Sequence, residues 1–361
     1  MKILNRFLFL ILILVTTQVY SQSDESEALE KGKKAVELMD EGKFDESIKL
    51  LKEAQKLDPE KYEYIYELAY AYYLKKDYKS AIKLLEKNKE HSKAAVSHYQ
   101  LLGSSYDDSG KPEKALEVYD EGLAKFPNSG YLYLEKGNVF WGKKEYGKAM
   151  PFYEKGIEVD PQFPSNYYRA AKIYCNSTEE VWGMLYGEIF MNLERNSART
   201  VEISKLLFDT YKSQIKFTSD NSISVSFSKN ATMTIEDLKD PGKLKMPYGI
   251  GVYEPTLMFS MLEVKSIDIN TLDGIRTKFL ENYYSNGHNK TYPNVLFDYQ
   301  TKVKENGHLE SYNHWILMKG DEEKFGVWRD KNKDKWESFV KWFNENSIQI
   351  NQSNKFFSNQ Y

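Results

Sequence analysis

His308, Glu310 and His314 form the densest cluster of potential ligands in the chain. Glu310 and His314 are four residues apart, a spacing that turns both side chains to one face of a helix, as a metal pair would need. Two ligands on one helix leave a site incomplete, and His288 is the candidate for a third. The competing reading is a set of ordinary surface or part-buried side chains, and no metal or other cofactor is expected. Cys175 is the single cysteine, so no intramolecular disulfide framework or cysteine zinc site can be built. It has no histidine close in sequence and reads as a small buried residue rather than a nucleophile. G-x-S-x-G, H-E-x-x-H, phosphate-loop and dinucleotide glycine patterns are absent from the sequence. The chain is therefore not expected to be an enzyme, and no catalytic residue is assigned. The Asn-x-Ser/Thr triplets at Asn176, Asn230, Asn289 and Asn351 matter only in a host that glycosylates secreted proteins.

Well ahead of the histidine cluster the chain follows a fixed period. Tyr99, Gly103, Tyr106, Ala115, Tyr119 and Pro127 recur thirty-four residues later as Tyr133, Gly137, Phe140, Ala149, Tyr153 and Pro161. The same phase holds Ile65, Leu68, Ala69, Tyr72, Ala81 and Leu85 one unit earlier, and Leu38, Phe44, Leu51, Ala54 and Pro59 at the start. Large residues at helical spacing build a shared core. Ala69, Gly103 and Gly137, with Ala81, Ala115 and Ala149, let two antiparallel helices approach closely. Pro59, Pro127 and Pro161 end the second helix of a unit, because proline disfavours helical geometry in the residue before it. Asp40-Glu41-Gly42-Lys43 and Ser109-Gly110-Lys111-Pro112 read as turns, with Pro112 suited to a first helical position. Pro151 falls inside a second helix, where it predicts a kink or a late start. A fifth unit opens at Pro164 with Tyr167, Ala170, Ala171 and Tyr174. Its second helix departs from the pattern at Gly183 and Gly187. Lys31 and Lys34 at core positions of the first unit predict a polar outer face, as a terminal repeat needs.

These residues resemble the tetratricopeptide-repeat (TPR) signature. The resemblance implies an α-solenoid of about five helical hairpins over residues 22–197. It also implies a concave groove lined by the first helix of each hairpin. The positions that would face it include Glu63, Tyr66, Tyr70 and Tyr73; Ser97, Gln100, Ser104 and Asp107; Tyr131, Leu134, Asn138 and Trp141; and Ser165, Tyr168 and Lys172. Tyrosine and tryptophan anchor partners well, since they bury large area at little entropic cost. Tyr66, Tyr70, Tyr73, Tyr131, Trp141 and Tyr168 are thus expected to hold an extended peptide or a partner helix, with Asn138 on its backbone and Arg169 or Lys172 on a carboxylate. A bland alternative is that these rings simply pack against the next unit. One family site clamps a C-terminal carboxylate with lysine and asparagine, but Gly32, Val36, Tyr66 and Tyr70 stand at those positions and do not match.

After about Asn196 the period stops, and residues 198–347 read as a mainly helical domain with a small β-hairpin insertion. Helices are expected over Ser197–Ile215, Glu254–Val264 and Leu272–Tyr284, and over Asn294–Met318 with a break at Asn306-Gly307. A last pair follows the cap Asp321 and buries Trp328, Trp336, Phe339, Trp342 and Phe343. A strand is expected at Ser222–Ser228, pairing with Ala231–Ile235, and a turn at Asp240-Pro241-Gly242. The run from Trp315 to Asn346 resembles the C-terminal segment of some exported bacterial TPR proteins of no assigned activity. Residues 348–361 read as a flexible tail.

Lys2 and Arg6, the apolar run Phe7–Val15 and the small residue Ser21 predict a cleaved signal peptide over residues 1–21, and hence a periplasmic or secreted protein. The run is too short to span a bilayer, so no membrane span is expected in the mature chain. The 50 basic and 53 acidic residues give a net charge of −3, which argues against nucleic acid as the partner. The leading expectation is an exported interaction scaffold with a protein or peptide partner. The alternatives are an enzyme or metal protein with its site in the C-terminal domain, and a structural subunit of an envelope assembly.

Overall fold

A computed structural model describes residues 24–219, 222–229, 246–262 and 264–361. The expected signal segment, the strand at Ala231–Ile235 and the turn at Asp240-Pro241-Gly242 lie outside the described residues. The chain divides into two compact units, one ending at Val139 and the other running from Phe140 to Tyr361.

The first unit holds the hairpins α1 (residues 24–40) with α2 (Phe44–Leu57), α3 (Tyr62–Leu74) with α4 (Tyr78–Lys87), and α5 (Val96–Asp108) with α6 (Pro112–Lys125). Most of α7 (Gly130–Gly142) also belongs to it. α2 and α6 stop two residues short of Pro59 and Pro127, and Pro112 occupies the first turn of α6. Ala69, Leu85, Tyr99, Leu102, Ala115 and Tyr119 are buried in one core cluster. Gly103 packs directly under the Tyr119 ring, where a side chain would collide. Lys31 pairs with Glu53 at 2.8 Å, so the outer side of the first hairpin is polar.

The turn within each hairpin repeats in phase. Gly42, Lys76, Gly110 and Lys144 have φ of +74°, +64°, +80° and +60°. The next amide donates five residues back each time: Lys43 to Leu38, Asp77 to Tyr72, Lys111 to Tyr106 and Glu145 to Phe140, at 2.8–3.0 Å. This left-handed cap closes the open carbonyls of the first helix. Glycine adopts it freely, and lysine occupies it twice at a conformational cost.

The second unit begins with α8 (Tyr146–Val159), α9 (Pro164–Tyr174) and α10 (Glu180–Leu193). α8 starts at Tyr146 and continues through Pro151, so a late start does not occur. Proline removes the bond to Gly147, which is exposed in the first turn, and water can satisfy that carbonyl. α10 is buried along nearly its whole length. Gly183 abuts the backbone N and Sγ of Cys175, each 2.5 Å from where a Cβ would sit, and Gly187 abuts Leu207. The two glycines that break the repeat pattern are contact points of a central helix.

α11 (Ala198–Gln214) starts at a capping box between Ser197 and Thr200. It leads into β1 (Ile215–Ser219), which pairs antiparallel with β2 (Ser222–Val225). Among the described residues the expected strand pairs with the segment before it. The remaining helices are Glu254–Phe259, Ile269–Ser285, His288–Thr291, Val295–Glu305, Leu309–Leu317, Glu322–Lys331 and Lys333–Glu345. Asp268, Asn294 and Asp321 cap three of them through their side chains. The break at Asn306-Gly307 has Gly307 at φ +76°.

α10 is tied to these helices by a buried polar knot. Glu188 accepts from Arg276 at 2.6 and 2.9 Å, from Gln300 at 2.5 Å and from Tyr312 at 2.9 Å. Arg276 also donates to Asn313 at 2.8 Å. The C-terminal segment, read from sequence as flexible, packs down instead: Ile348, Ile350 and Phe356 are buried. Ser358 donates to Glu154 at 2.7 Å. Three apolar side chains spaced among polar ones supply enough buried area to hold it. Among the described residues no helix is long and apolar enough to cross a membrane.

Candidate functional site

The first-helix side chains of the first unit sort by exposure. Every third or fourth residue of α3 and α7 faces the core, leaving the next position outward. Tyr70 and Tyr131 are each 37% exposed, while Ile65, Leu68 and Leu132 on the same helices are buried. Tyr66 and Tyr73 are half-buried against the core. The Tyr70 and Tyr73 rings stack at 6.5 Å, and the Tyr73 hydroxyl donates to Asp108 at 2.6 Å. Tyr131 lies within electrostatic range of Glu135, Tyr66 and Tyr70, and burial raises its hydroxyl above the usual range. Burial also raises Tyr66, partly offset by a hydrogen bond with Ser97. Asn138 donates to Glu135 at 3.1 Å. Tyr66, Tyr70, Tyr73, Tyr131 and Asn138 therefore share one aromatic and polar face of this unit.

In the second unit Trp141, Tyr168, Arg169 and Lys172 gather on their own. The Arg169 guanidinium sits 4.7 Å and the Lys172 ammonium 5.6 Å from the Trp141 ring. Tyr146 meets the same indole edge-on at 5.1 Å. Tyr168 is only 8% exposed, with its hydroxyl on Glu202 at 2.5 Å. Lys172 forms an ion pair with Glu202 at 2.6 Å. Burial pushes the Glu202 carboxyl up, but Lys172 and Tyr168 outweigh it and hold it below its ordinary value. A partner carboxylate would have to compete with Glu202 for Lys172. Arg169 makes no ion pair among the described residues, and its cationic face is stacked on Trp141. Glu202, and Arg199 whose guanidinium lies 5.0 Å from the Tyr168 ring, both come from α11, beyond the repeats, so the repeat pattern did not point to them.

The histidine cluster does not assemble. His314 Nδ1 is 2.8 Å from the Glu310 carbonyl and Nε2 is 3.2 Å from Asn270 Oδ1. Burial lowers the His314 pKa, and both ring nitrogens already have hydrogen-bond partners within the fold. The Glu310 carboxylate accepts from Trp328 at 2.9 Å and Lys335 at 2.8 Å. His308 packs on Trp342 and His288 near Tyr283. Among the described residues no group of three or more histidine, cysteine or acidic side chains is arranged to hold a metal ion. Burial pushes the Cys175 thiol up to about 12, which suppresses the thiolate that a nucleophile requires. A recess of about 330 Å³ in this unit is lined by Tyr174, Trp182, Tyr248, Ser358 and Tyr361 among others. The docked C-terminal segment forms part of its wall.

Residues 40–133 match the family described as anaphase-promoting complex, cyclosome, subunit 3, and residues 101–166 match a family described as tetratricopeptide repeat. Tetratricopeptide repeat protein 21A of Mus musculus is 37% identical over 62 residues, which is 17% of this chain and 5% of that protein. The chain thus matches only a small part of the length of that curated relative. Among solved structures, MamA protein is 22% identical, over 46% of this chain and 92% of that one, at a TM-score of 0.37. Pseudomonas aeruginosa pilF is 16% identical, over 52% and 86%, at 0.43. YrrB, described as a TPR protein with an unusual peptide-binding site, is 16% identical, over 52% and 97%, at 0.35. The two family matches coincide with the in-phase small residues and the recurring left-handed turns, and residues 101–166 match the tetratricopeptide repeat itself.

Proposed function

We propose that the chain is an exported protein-interaction scaffold that binds an extended peptide or a partner helix on the first-helix face of its repeats. The observation that carries this reading is the pair Tyr70 and Tyr131. Two large rings stay more than a third exposed on helices whose other sides are packed. Rigid aromatic side chains at the rim of a packed surface are efficient anchors. Tyr66 and Tyr73 support the same face from below, and Trp141 with Arg169 offers a second aromatic surface in the other unit. Micromolar affinity is the natural scale, about −8 kcal/mol. Export is supported by the basic residues Lys2 and Arg6 ahead of the apolar run Phe7–Val15.

Affinity capture from the host's own extract tests the reading, using the native chain beside the variant Tyr70→Ala, Tyr131→Ala, Trp141→Ala. A partner held by the native chain and released by the folded variant is the expected result. Equal retention by both would move the binding surface away from this face. Mass determination of the chain recovered from its host checks export, with cleavage after Ser21 expected.

A further inference from the structure

The first-helix face of the first unit has a charge pattern that identifies the chemistry of its partner, and this inference rests on the docking reading above. α3 contains Glu63 and Glu67 and no lysine or arginine. α5 contains Asp107 and Asp108 and no lysine or arginine. His98 of α5 is buried and neutral, its pKa brought down to about 4 by burial and then by Lys125 and Lys89. α7 adds Glu135, and its Lys136 is turned to Asp120 of α6 at 2.5 Å. The acidic stretch begins at α3, since α1 has Lys33 where Glu67 stands one repeat later.

Glu67 is the informative member. It follows Tyr66 and precedes Tyr70 by one helical step, and it is half-buried. Among the described residues it has no hydrogen bond and no ion pair. Loss of water alone raises its carboxyl above the ordinary value. Asp108, by contrast, accepts from Tyr73, and Glu135 from Asn138. A part-desolvated carboxylate without a partner is unfavourable within the fold. A cation arriving from outside removes that penalty. Nearby tyrosine rings add attraction through their negative faces, and Tyr131 is in electrostatic range of Tyr66 and Tyr70.

We propose that the face formed by α3, α5 and the first part of α7 binds a lysine- or arginine-rich protein segment, with one cationic side chain set between Tyr66, Tyr70 and Tyr131 against Glu67. Charge complementarity selects a basic segment over an acidic or neutral one, and the half-buried Glu67 supplies the specific contact. Ordinary rim charges would only steer the encounter.

An array of random-sequence, end-blocked nonapeptides tests this with the purified full chain. Three variants accompany it: Glu67→Gln, Glu67→Lys, and Tyr70→Ala with Tyr131→Ala. The peptides retained by the native chain should be enriched in lysine and arginine. Their affinities, measured by fluorescence anisotropy, should fall roughly tenfold in Glu67→Gln and weaken with added salt. Glu67→Lys should abolish the basic preference. Glu67 makes no hydrogen bond or ion pair among the described residues, so these variants should keep the native circular dichroism spectrum. A retained set with no charge bias, a bias indifferent to both Glu67 changes, or no retained peptide would overturn the inference. If the unbiased set is still lost in Tyr70→Ala with Tyr131→Ala, the docking face stands and only its charge preference falls. If that double variant loses nothing, the docking reading falls as well.

Discussion

Gly103→Ala is the sharpest perturbation of the repeat packing. Gly103 stands mid-helix in α5, and an added methyl would lie inside van der Waals contact with the Tyr119 ring, its Cδ1 only 2.8 Å away. Tyr119 is 1% exposed and its hydroxyl is 3.3 Å from Ser104 Oγ, so the ring has little room to retreat. Overpacking of this kind costs about 1–3 kcal/mol. The change from glycine to alanine inside a helix returns about 1 kcal/mol. With the ring held in place the cost falls in the upper part of that range, about 2–3 kcal/mol, so a net loss of about 1–2 kcal/mol follows. One repeat earlier the same template positions hold Ala69 and Leu85, both fully buried in one cluster. A smaller partner therefore accommodates the methyl, and Gly103→Ala combined with Tyr119→Leu should be less destabilised than the two single changes added together, by roughly 1 kcal/mol. Urea unfolding followed by far-UV circular dichroism gives all three values. A neutral or stabilising Gly103→Ala, or strictly additive effects, would refute the idea that close approach at this position sets the glycine.

Two further outcomes follow from the second unit. Arg276→Met leaves the Glu188 carboxylate buried beside Gln300 and Tyr312, and removing one partner of a buried pair costs about 3–5 kcal/mol; Arg276→Met with Glu188→Leu should recover much of that loss, as read from urea midpoints. Burial raises the Glu154 carboxyl despite bonds from Ser358, Tyr186 and Tyr174, so the folded state binds the proton more tightly than the unfolded one. Stability from this group is present at low pH and is lost as pH rises from the ordinary glutamate value through the raised folded value. Glu154→Gln should flatten that slope in urea midpoints taken across this range.

Much of this was readable from the chain. The recurrence of small, aromatic and proline positions every thirty-four residues reports contacts between neighbouring helices, which are local and periodic. The capping residues Asp268 and Asp321 and the break at Gly307 were accessible for the same reason, since a cap depends on its own turn. Features made by distant segments were not accessible. Gly187 looked like decay of the pattern because its contact, Leu207, lies beyond the repeats, and the template does not say that Gly183 meets the end of the preceding helix at Cys175. The docking of Ile348, Ile350 and Phe356 hides behind a polar average composition. The strand Ser222–Val225 was identifiable by alternation, but alternation does not say which neighbour pairs with it. At the candidate face the tyrosines were visible as types at positions, whereas the lack of any partner for Glu67 among the described residues is a property of three-dimensional packing.

Hydrogen–deuterium exchange of the chain with and without its captured partner tests the central claim most directly. New protection is expected in α3, α5 and α7, centred on residues 63–73, 97–107 and 131–138, with the region from 198 onward unchanged. Protection confined to residues 198–361, with those three helices exchanging as in the free chain, would contradict it.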